Sequence, residues 1–282
     1  MQASVSYDVA MIRHRPTGPL AQYVDQFWYR QGHFPERRKE RALPTGCMDL
    51  TFNLRDDALR VFGDAEDSVG VSCRNAIVHG AQSRYFVLDA RSDVHVVGVH
   101  FRPGGGAVLL GFPADALTDQ HVALEDLWGE RARLLREKLL DAATPGELFE
   151  VLEAEFTRTL QRAPLVNPAI SFALRGIQSA PAQVRIGALQ QATGYGSRRF
   201  TTLFERSVGL TPKLYSRIQR MRSLLERVAQ SERADWADLA GEFGFYDQPH
   251  LVRDFREFSG VTPGEYRPVT PASAMHVQID RD

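Results

Sequence analysis

The stretch "VGLTPKLYSR" (208–217) returns 51 positions later as "SGVTPGEYRP" (259–268), with its glycine, Thr-Pro pair and tyrosine at the same spacing. In each copy the glycine follows an amphipathic segment, which suits a helix end that needs a residue of positive φ. Gly209 and Gly260 are therefore the expected helix stops. The Thr-Pro beyond each glycine reads as a new helix start. Thr211 or Thr262 is the N-cap, and Pro212 or Pro263 takes the first helical position, where a missing N–H costs nothing. Leu210 or Val261 ahead of each cap, with Tyr215 or Tyr266 one turn on, can form a hydrophobic staple that fixes the entry angle. The repeat predicts one stiff corner, made twice.

Upstream the similarity continues with an offset of 50: Ile186, Leu189, Gly194 and Tyr195 correspond to Trp236, Leu239, Gly244 and Phe245. Each unit reads as a short helix, a glycine turn and a second helix, the helix-turn-helix pattern. A single match would be weak, but its repetition within one chain makes chance a poor explanation. At about 100° per residue, Phe200, Leu203 and Phe204 form the inner side of the first unit's second helix. Arg198 and Thr202 are left opposite, flanked by Thr201 and Glu205. In the second unit Leu251, Phe255 and Phe258 face inward, with Pro249, Arg253 and Arg256 opposite and Val252 at the edge. Gly196 and Asp247 are the expected N-caps of these two helices. Arginine can pair bidentately with a guanine edge, and threonine and valine methyls can touch thymine, so these faces suit base reading. The alternatives for Arg198 and Arg253 are phosphate contact or a plain surface position.

Charge is distributed unevenly. Residues 1–165 carry 19 basic and 23 acidic side chains, a net of -4, whereas residues 166–267 carry 14 and 10, a net of +4. From Gly176 to Leu225 eight basic residues face a single acid, Glu205. Such a stretch usually makes a solvated face, and it also suits a polyanion. Arg185, Arg199, Arg217, Arg220, Arg222 and Arg256 are the candidates for phosphate contact, three of them on a connecting helix expected over about 212–230. The second unit, 231–267, holds four basic and eight acidic residues, so the first is expected to dominate affinity.

From Asn167 to Arg267, including both units, the connecting helix and the closing "FREFSGVTPGEYR", the chain resembles the AraC/XylS family of bacterial transcription regulators. The resemblance implies a seven-helix, all-α domain in which a long helix joins two helix-turn-helix motifs that bind double-stranded promoter DNA. The family's base-reading positions fall on Arg198, Thr201, Thr202, Gln248, Val252 and Arg253. It also implies a preceding half that senses a small-molecule effector and forms a homodimer, with RNA polymerase as a further partner. A transcription regulator is thus expected, with no catalytic residue, cofactor or metal assigned.

The first 165 residues say less. With 282 residues, 43 per cent of them hydrophobic, the chain can bury two domains. Two cysteines, Cys47 and Cys73, are too few for a disulfide scaffold. No apolar run approaches the roughly 18 residues of a membrane span, and the start lacks a signal-peptide order, so a cytoplasmic protein is expected. Short runs such as "DLTFNL", "YFVLDA" and "VHVVGVHF" read as a small β-rich, barrel-like unit. The expected fold class is α+β, with a sensing and dimerising domain at 1–165, the DNA-binding domain at 166–268 and a tail at 269–282, joined through "RAPLVNP". Two helices are expected within 124–161. The second opens with Thr144, Pro145 and Glu147 as a capping box, and its stripe of Phe149, Leu152, Phe156 and Leu160 suits either a dimer interface or internal core.

Trp28 and Tyr29 are weak candidates for an effector pocket, although aromatics in such runs are more often core. "FRPGGGAVLLG" (101–111) could cradle an anion with help from Arg102, or could simply turn a strand into a helix. The contrasting functional class is an enzyme or metal sensor built from His79, His95, His100, Cys47 or Asp49 and localised by the DNA-binding half. His95 and His100 are an odd number apart and should face opposite sides of a strand, which weakens that idea.

Overall fold

The computed structural model describes residues 11–33, 38–55, 58–90, 93–162, 166–230, 235–270 and 273–279, so the middle of the expected linker lies outside the described residues. The strands are β1 (Ile12–His14), β2 (Val24–His33), β3 (Arg38–Ala42), β4 (Asp49–Asn53), β5 (Leu59–Phe62), β6 (Val71–Cys73), β7 (Ala76–His79), β8 (Phe86–Ala90), β9 (Asp93–Phe101), β10 (His121–Ala123) and β11 (His276–Gln278). They form two antiparallel sheets, ordered β1-β2-β9-β4-β7-β10 and β11-β3-β8-β5-β6, instead of a closed barrel.

The period-two alternation of a strand gives each sheet two faces. In the six-stranded sheet Phe27, Leu50, Phe52, Val97, Val99 and Phe101 belong to the main core. Their neighbours Trp28, Asp49, Thr51, Asn53, Val96 and His100 line a cavity between the sheets. At one end a small cluster of Val61, Cys73 and Ile77 joins the sheets directly.

Helices α1 (Gly105–Leu110), α2 (Leu124–Trp128), α3 (Glu130–Asp141) and α4 (Pro145–Leu160) come next in the chain. Half of the expected capping box forms at α4: Thr144 accepts from the Glu147 N–H, whereas the Glu147 carboxylate reaches past the cap to the Ala143 N–H at 2.7 Å. Phe149, Leu152 and Phe156 are buried, and Phe156 meets Phe101 edge-on at 5.7 Å and Phe27 at 6.4 Å. Most of that stripe is therefore internal core. The glycine run before α1 serves close packing, since a Cβ on Gly105 would lie 2.0 Å from the Tyr23 carbonyl oxygen and one on Gly106 2.8 Å from Met48 Sδ. Arg102 pairs with Asp25 at 3.1 Å and donates to the Ala21 carbonyl at 2.8 Å, so its guanidinium ties the start of β2 to the end of β9.

The C-terminal half contains α5 (Pro168–Ser179), α6 (Ile186–Ala192), α7 (Ser197–Val208), α8 (Pro212–Ala229), α9 (Trp236–Glu242) and α10 (Gln248–Ser259). Gly209 and Gly260 end α7 and α10 with φ of 89° and 71°. Thr211 caps α8 by accepting from the Leu214 N–H, and Asp247 caps α10 by accepting from the His250 N–H. The second corner differs from the expectation that Thr262 opens a seventh helix: among the described residues this half has six helices, and residues 263–265 make only a turn. Gly264 favours no helix and Pro268 cannot continue one. Instead Glu265 accepts from the Thr262 N–H at 2.7 Å, Pro268 bridges to Val277, and β11 joins β3 at the edge of the second sheet. The segment expected as a tail thus contributes a strand.

Candidate DNA interface and inter-sheet cavity

On α7, Phe200, Phe204 and Val208 are buried, leaving Arg198, Thr202 and Arg206 exposed on the opposite side and Thr201 partly covered. Arg199 is exposed and lies over the Tyr195 ring at 4.9 Å. On α10, Leu251, Phe255 and Phe258 are buried, while Gln248, Arg253 and Arg256 are exposed and Val252 is partly covered. Arg185 is exposed at the N-cap of α6. The six base-reading candidates therefore share the outer sides of two equivalent helices.

Two arginines of α8 are engaged inside the fold, while Arg222 pairs with Glu226 on its own helix. Arg217 reaches Asp254 at 2.8 Å and Glu257 at 2.6 Å, and Arg220 reaches the same Asp254 at 2.9 Å and the Gly244 carbonyl at 3.1 Å. Burial works against the charge on Arg217, but its hydrogen bonds to Glu257 and Asp254 stabilise the guanidinium strongly. Burial likewise works against the Asp254 carboxylate, and the two arginines outweigh it. These pairs fasten α8 to α10, whereas Arg185, Arg199, Arg206 and Arg256 are exposed. Helical spacing alone did not single out Asp254. An acid immediately before the inward-facing Phe255 was the available signal.

The cavity between the sheets measures about 460 Å³. Across its floor runs a row from adjacent strands, Gln26, His100, Asp49 and His79, paired in register, and His121 extends the row beside His79, outside the cavity lining. His100 Nδ1 lies 2.6 Å from Asp49 Oδ1, and His79 Nδ1 lies 2.9 Å from His121 Nδ1. Burial opposes protonation of His100, yet the charge and hydrogen bonding of Asp49 hold it well above the usual histidine value. Burial lowers His79 to about 4 against the pull of Asp49, and burial with His79 beside it lowers His121 to about 3. The floor thus combines one charged pair with the neutral imidazole of His79, which is backed by a second neutral imidazole, His121. From the other sheet His276 meets Glu40 at 3.0 Å, and Val61 and Leu88 supply an apolar wall.

Of the weak effector candidates, Trp28 lines this cavity, its indole occupying the space over Gly98. Tyr29 packs on the main core and Arg102 lies outside the lining. His95 packs edge-on against Tyr29 at 5.7 Å, while His100, on the other face of β9, enters the polar row. Among the described residues no group of three or more His, Cys, Asp or Glu is placed to hold a metal ion, and Cys47 and Cys73 are buried free thiols. Sequence reasoning missed His121, Glu40 and His276, because their partners come from strands whose pairing no local pattern specifies. It also missed that Arg222 and Glu226 of α8 line the cavity wall.

The repeated motif, the two capped helices and the long α8 define a double helix-turn-helix DNA-binding domain. Residues 189–268 match the family described as a helix-turn-helix domain, and residues 12–123 match a domain of unknown function, DUF6597. The chain carries an AraC-type helix-turn-helix domain at its C-terminal end. No curated protein matches the chain. Among solved structures, ToxT from Vibrio cholerae is 10% identical, with a TM-score of 0.46 over 85% of this chain and 97% of that one. A ToxT structure described as bound to an unsaturated fatty acid is 9% identical, with a TM-score of 0.45 over 90% of this chain and 96% of that one. No helix among the described residues is long and apolar enough to cross a membrane.

Proposed function

We propose that the protein is a sequence-specific transcription regulator. Arg198 and Arg253 read bases, with Thr201, Thr202, Gln248 and Val252 beside them, and Arg185, Arg199, Arg206 and Arg256 neutralise phosphates. The observation that carries this reading is the pair of exposed faces on α7 and α10, each with an arginine opposite a buried aromatic core. The inter-sheet cavity is the effector site. Its polar floor and apolar wall suit a compact amphipathic molecule that presents hydrogen-bonding groups to Asp49, Thr51 and His100. Coupling is short, because α8 both joins the two motifs and lines the cavity through Arg222 and Glu226. Self-association belongs to the outer side of α3, where Leu134 and Leu140 are exposed.

The test is DNA-binding anisotropy of the full chain at fixed salt, on fragments of the gene's own upstream region and on scrambled DNA. Arg198→Ala and Arg253→Ala should each remove about 1–3 kcal/mol of preference for the best fragment. Equal binding to scrambled DNA, insensitive to both substitutions, would reduce the basic stretch to an electrostatic surface.

A further inference from the structure

Residues of the sheet half closely approach both corner glycines of the repeat, Gly209 buried and Gly260 still partly open to solvent. A Cβ on Gly209 would lie 2.9 Å from Ala81 Cβ and 3.3 Å from Thr118 Oγ1, and the Thr118 hydroxyl donates to the Gly209 carbonyl. A Cβ on Gly260 would lie 2.4 Å from the Tyr85 ring, over which the Arg41 guanidinium sits 5.5 Å from the centroid. Between the two corners Gln219, in the middle of α8, donates to the Thr45 carbonyl at 2.8 Å. The close approach at both glycines explains the repetition beyond backbone conformation: each corner is also a docking point.

The docking points lie at the C-terminal ends of α7 and α10. A 12-residue helix such as α7 is about 18 Å long, so a rotation of about 10° at its anchored end moves the other end by about 3 Å. That is close to the rise of one base pair, about 3.4 Å. Small changes at either corner are therefore large on the scale at which DNA is read.

We propose that Thr118 and Tyr85 are positioning residues for DNA recognition. They hold the ends of α7 and α10 at a fixed separation, and so select the spacing between the two base elements that these helices read. The inference rests on the DNA-interface reading and goes beyond it by assigning a spacing rule to two side chains of the sheet half. It predicts that this half contributes to specificity through geometry even with no effector present.

The experiment selects the best duplex from a random library with the full chain, then inserts or deletes one base pair between the two contacted elements. The wild-type chain should lose about tenfold in affinity on either altered spacing, a penalty comparable to one mismatched base pair. A Thr118→Ala/Tyr85→Ala double variant should lose less than about threefold, with an unchanged salt slope because no phosphate contact has gone. Thr118→Ser and Tyr85→Phe should restore the penalty, which a general loss of packing would not allow. Should the double variant fail to fold, Thr118→Val keeps the side-chain shape, removes the hydroxyl and should show part of the relaxation. A wild-type penalty that persists in these variants overturns the inference while leaving the DNA reading intact. A wild-type chain with sequence preference but no spacing penalty also overturns it alone, whereas no sequence preference at all overturns the DNA reading beneath it.

Discussion

The two helix-turn-helix units start from the same backbone instructions and end differently. Gly209 and Gly260 each stop a 12-residue helix, yet Thr211 opens the 18-residue α8 while Thr262 opens a single turn. After Pro212, apolar residues recur at helical spacing and bury Tyr215, Ile218, Met221, Leu224 and Leu225. After Pro263 come Gly264 and, soon, Pro268, and the chain returns to the sheet. Charge diverges as well. Shifted by 51, Leu203 of the first unit becomes Asp254, and Arg206 becomes Glu257. A corner motif fixes the direction of the chain, and the residues beyond it decide what is built there.

The largest expected effect sharpens this contrast at position 254. Asp254 is buried and accepts from two arginines of α8, so Asp254→Ala leaves Arg220 with no carboxylate partner and Arg217 with Glu257 alone. It should cost about 3 kcal/mol, the low end for a broken buried pair because Arg217 stays partly exposed, and should lower the urea midpoint of the full chain. Glu257→Ala, at an exposed position, should cost less than about 1 kcal/mol. A small effect at Asp254 would mean that α10 is held by its apolar face and not by its ion pairs.

Next come the reading faces. Arg198→Ala should remove more DNA preference than Arg253→Ala within the range of about 1–3 kcal/mol, because α10 carries Asp254 and Glu257 close to its arginine. Arg206→Ala should lower the slope of log affinity against log salt by about 0.9, the value for one phosphate contact. Arg256→Ala should lower it less, since Glu265 already interacts with that arginine. Anisotropy titrations between low and physiological salt measure both slopes, and equal drops would erase the distinction between the units.

The repeat was legible because its chemistry is local. Glycine at positive φ, a threonine cap and a proline at the first helical position act within one turn, so Gly209, Thr211 and Pro212 announce themselves in sequence. The same holds for Thr144 and for Asn167, which stands ahead of Pro168 and caps α5 by accepting from the Ala169 N–H. The cavity was not legible, because His100, Asp49 and His79 become neighbours only through strand register, and Glu40 meets His276 across 236 positions. Trp28 and Tyr29 illustrate the limit: two adjacent aromatics, one turned to the cavity and one to the core. Alternation predicts that they part but does not say which goes where. Arginine at positions 217 and 220 looked available for phosphate, since a basic side chain advertises its charge and hides its partner.

The smallest effect concerns the strand beyond the second corner, a feature with no counterpart beyond the first. β11 is an edge strand, tied to β3 by backbone pairing and by the 3.0 Å contact of His276 with Glu40. Burial disfavours the His276 imidazolium, but the hydrogen bond and charge of Glu40, aided by Asp49 and opposed by Arg30, raise it above the usual value. Burial also disfavours the Glu40 carboxylate, and His276 and Arg30 lower it nonetheless. A raised histidine contributes fully below its ordinary value of about 6.5, and that contribution is lost as pH rises through its folded value. The lowered carboxylate contributes above its ordinary value of about 4.3 and fails only as pH falls through its own lower one. The tie is therefore strongest in mildly acidic solution and loosens on the alkaline side. Because His276 is 40% exposed, solvent screens the pair, and the opening equilibrium should shift by only about threefold, or about 0.6 kcal/mol. Hydrogen exchange at residues 276–278, corrected for base-catalysed chemical exchange, should show that shift between about pH 6 and pH 9. His276→Gln should flatten it, whereas a shift that survives the substitution would move the pH dependence to Asp49 and His100 on the cavity floor.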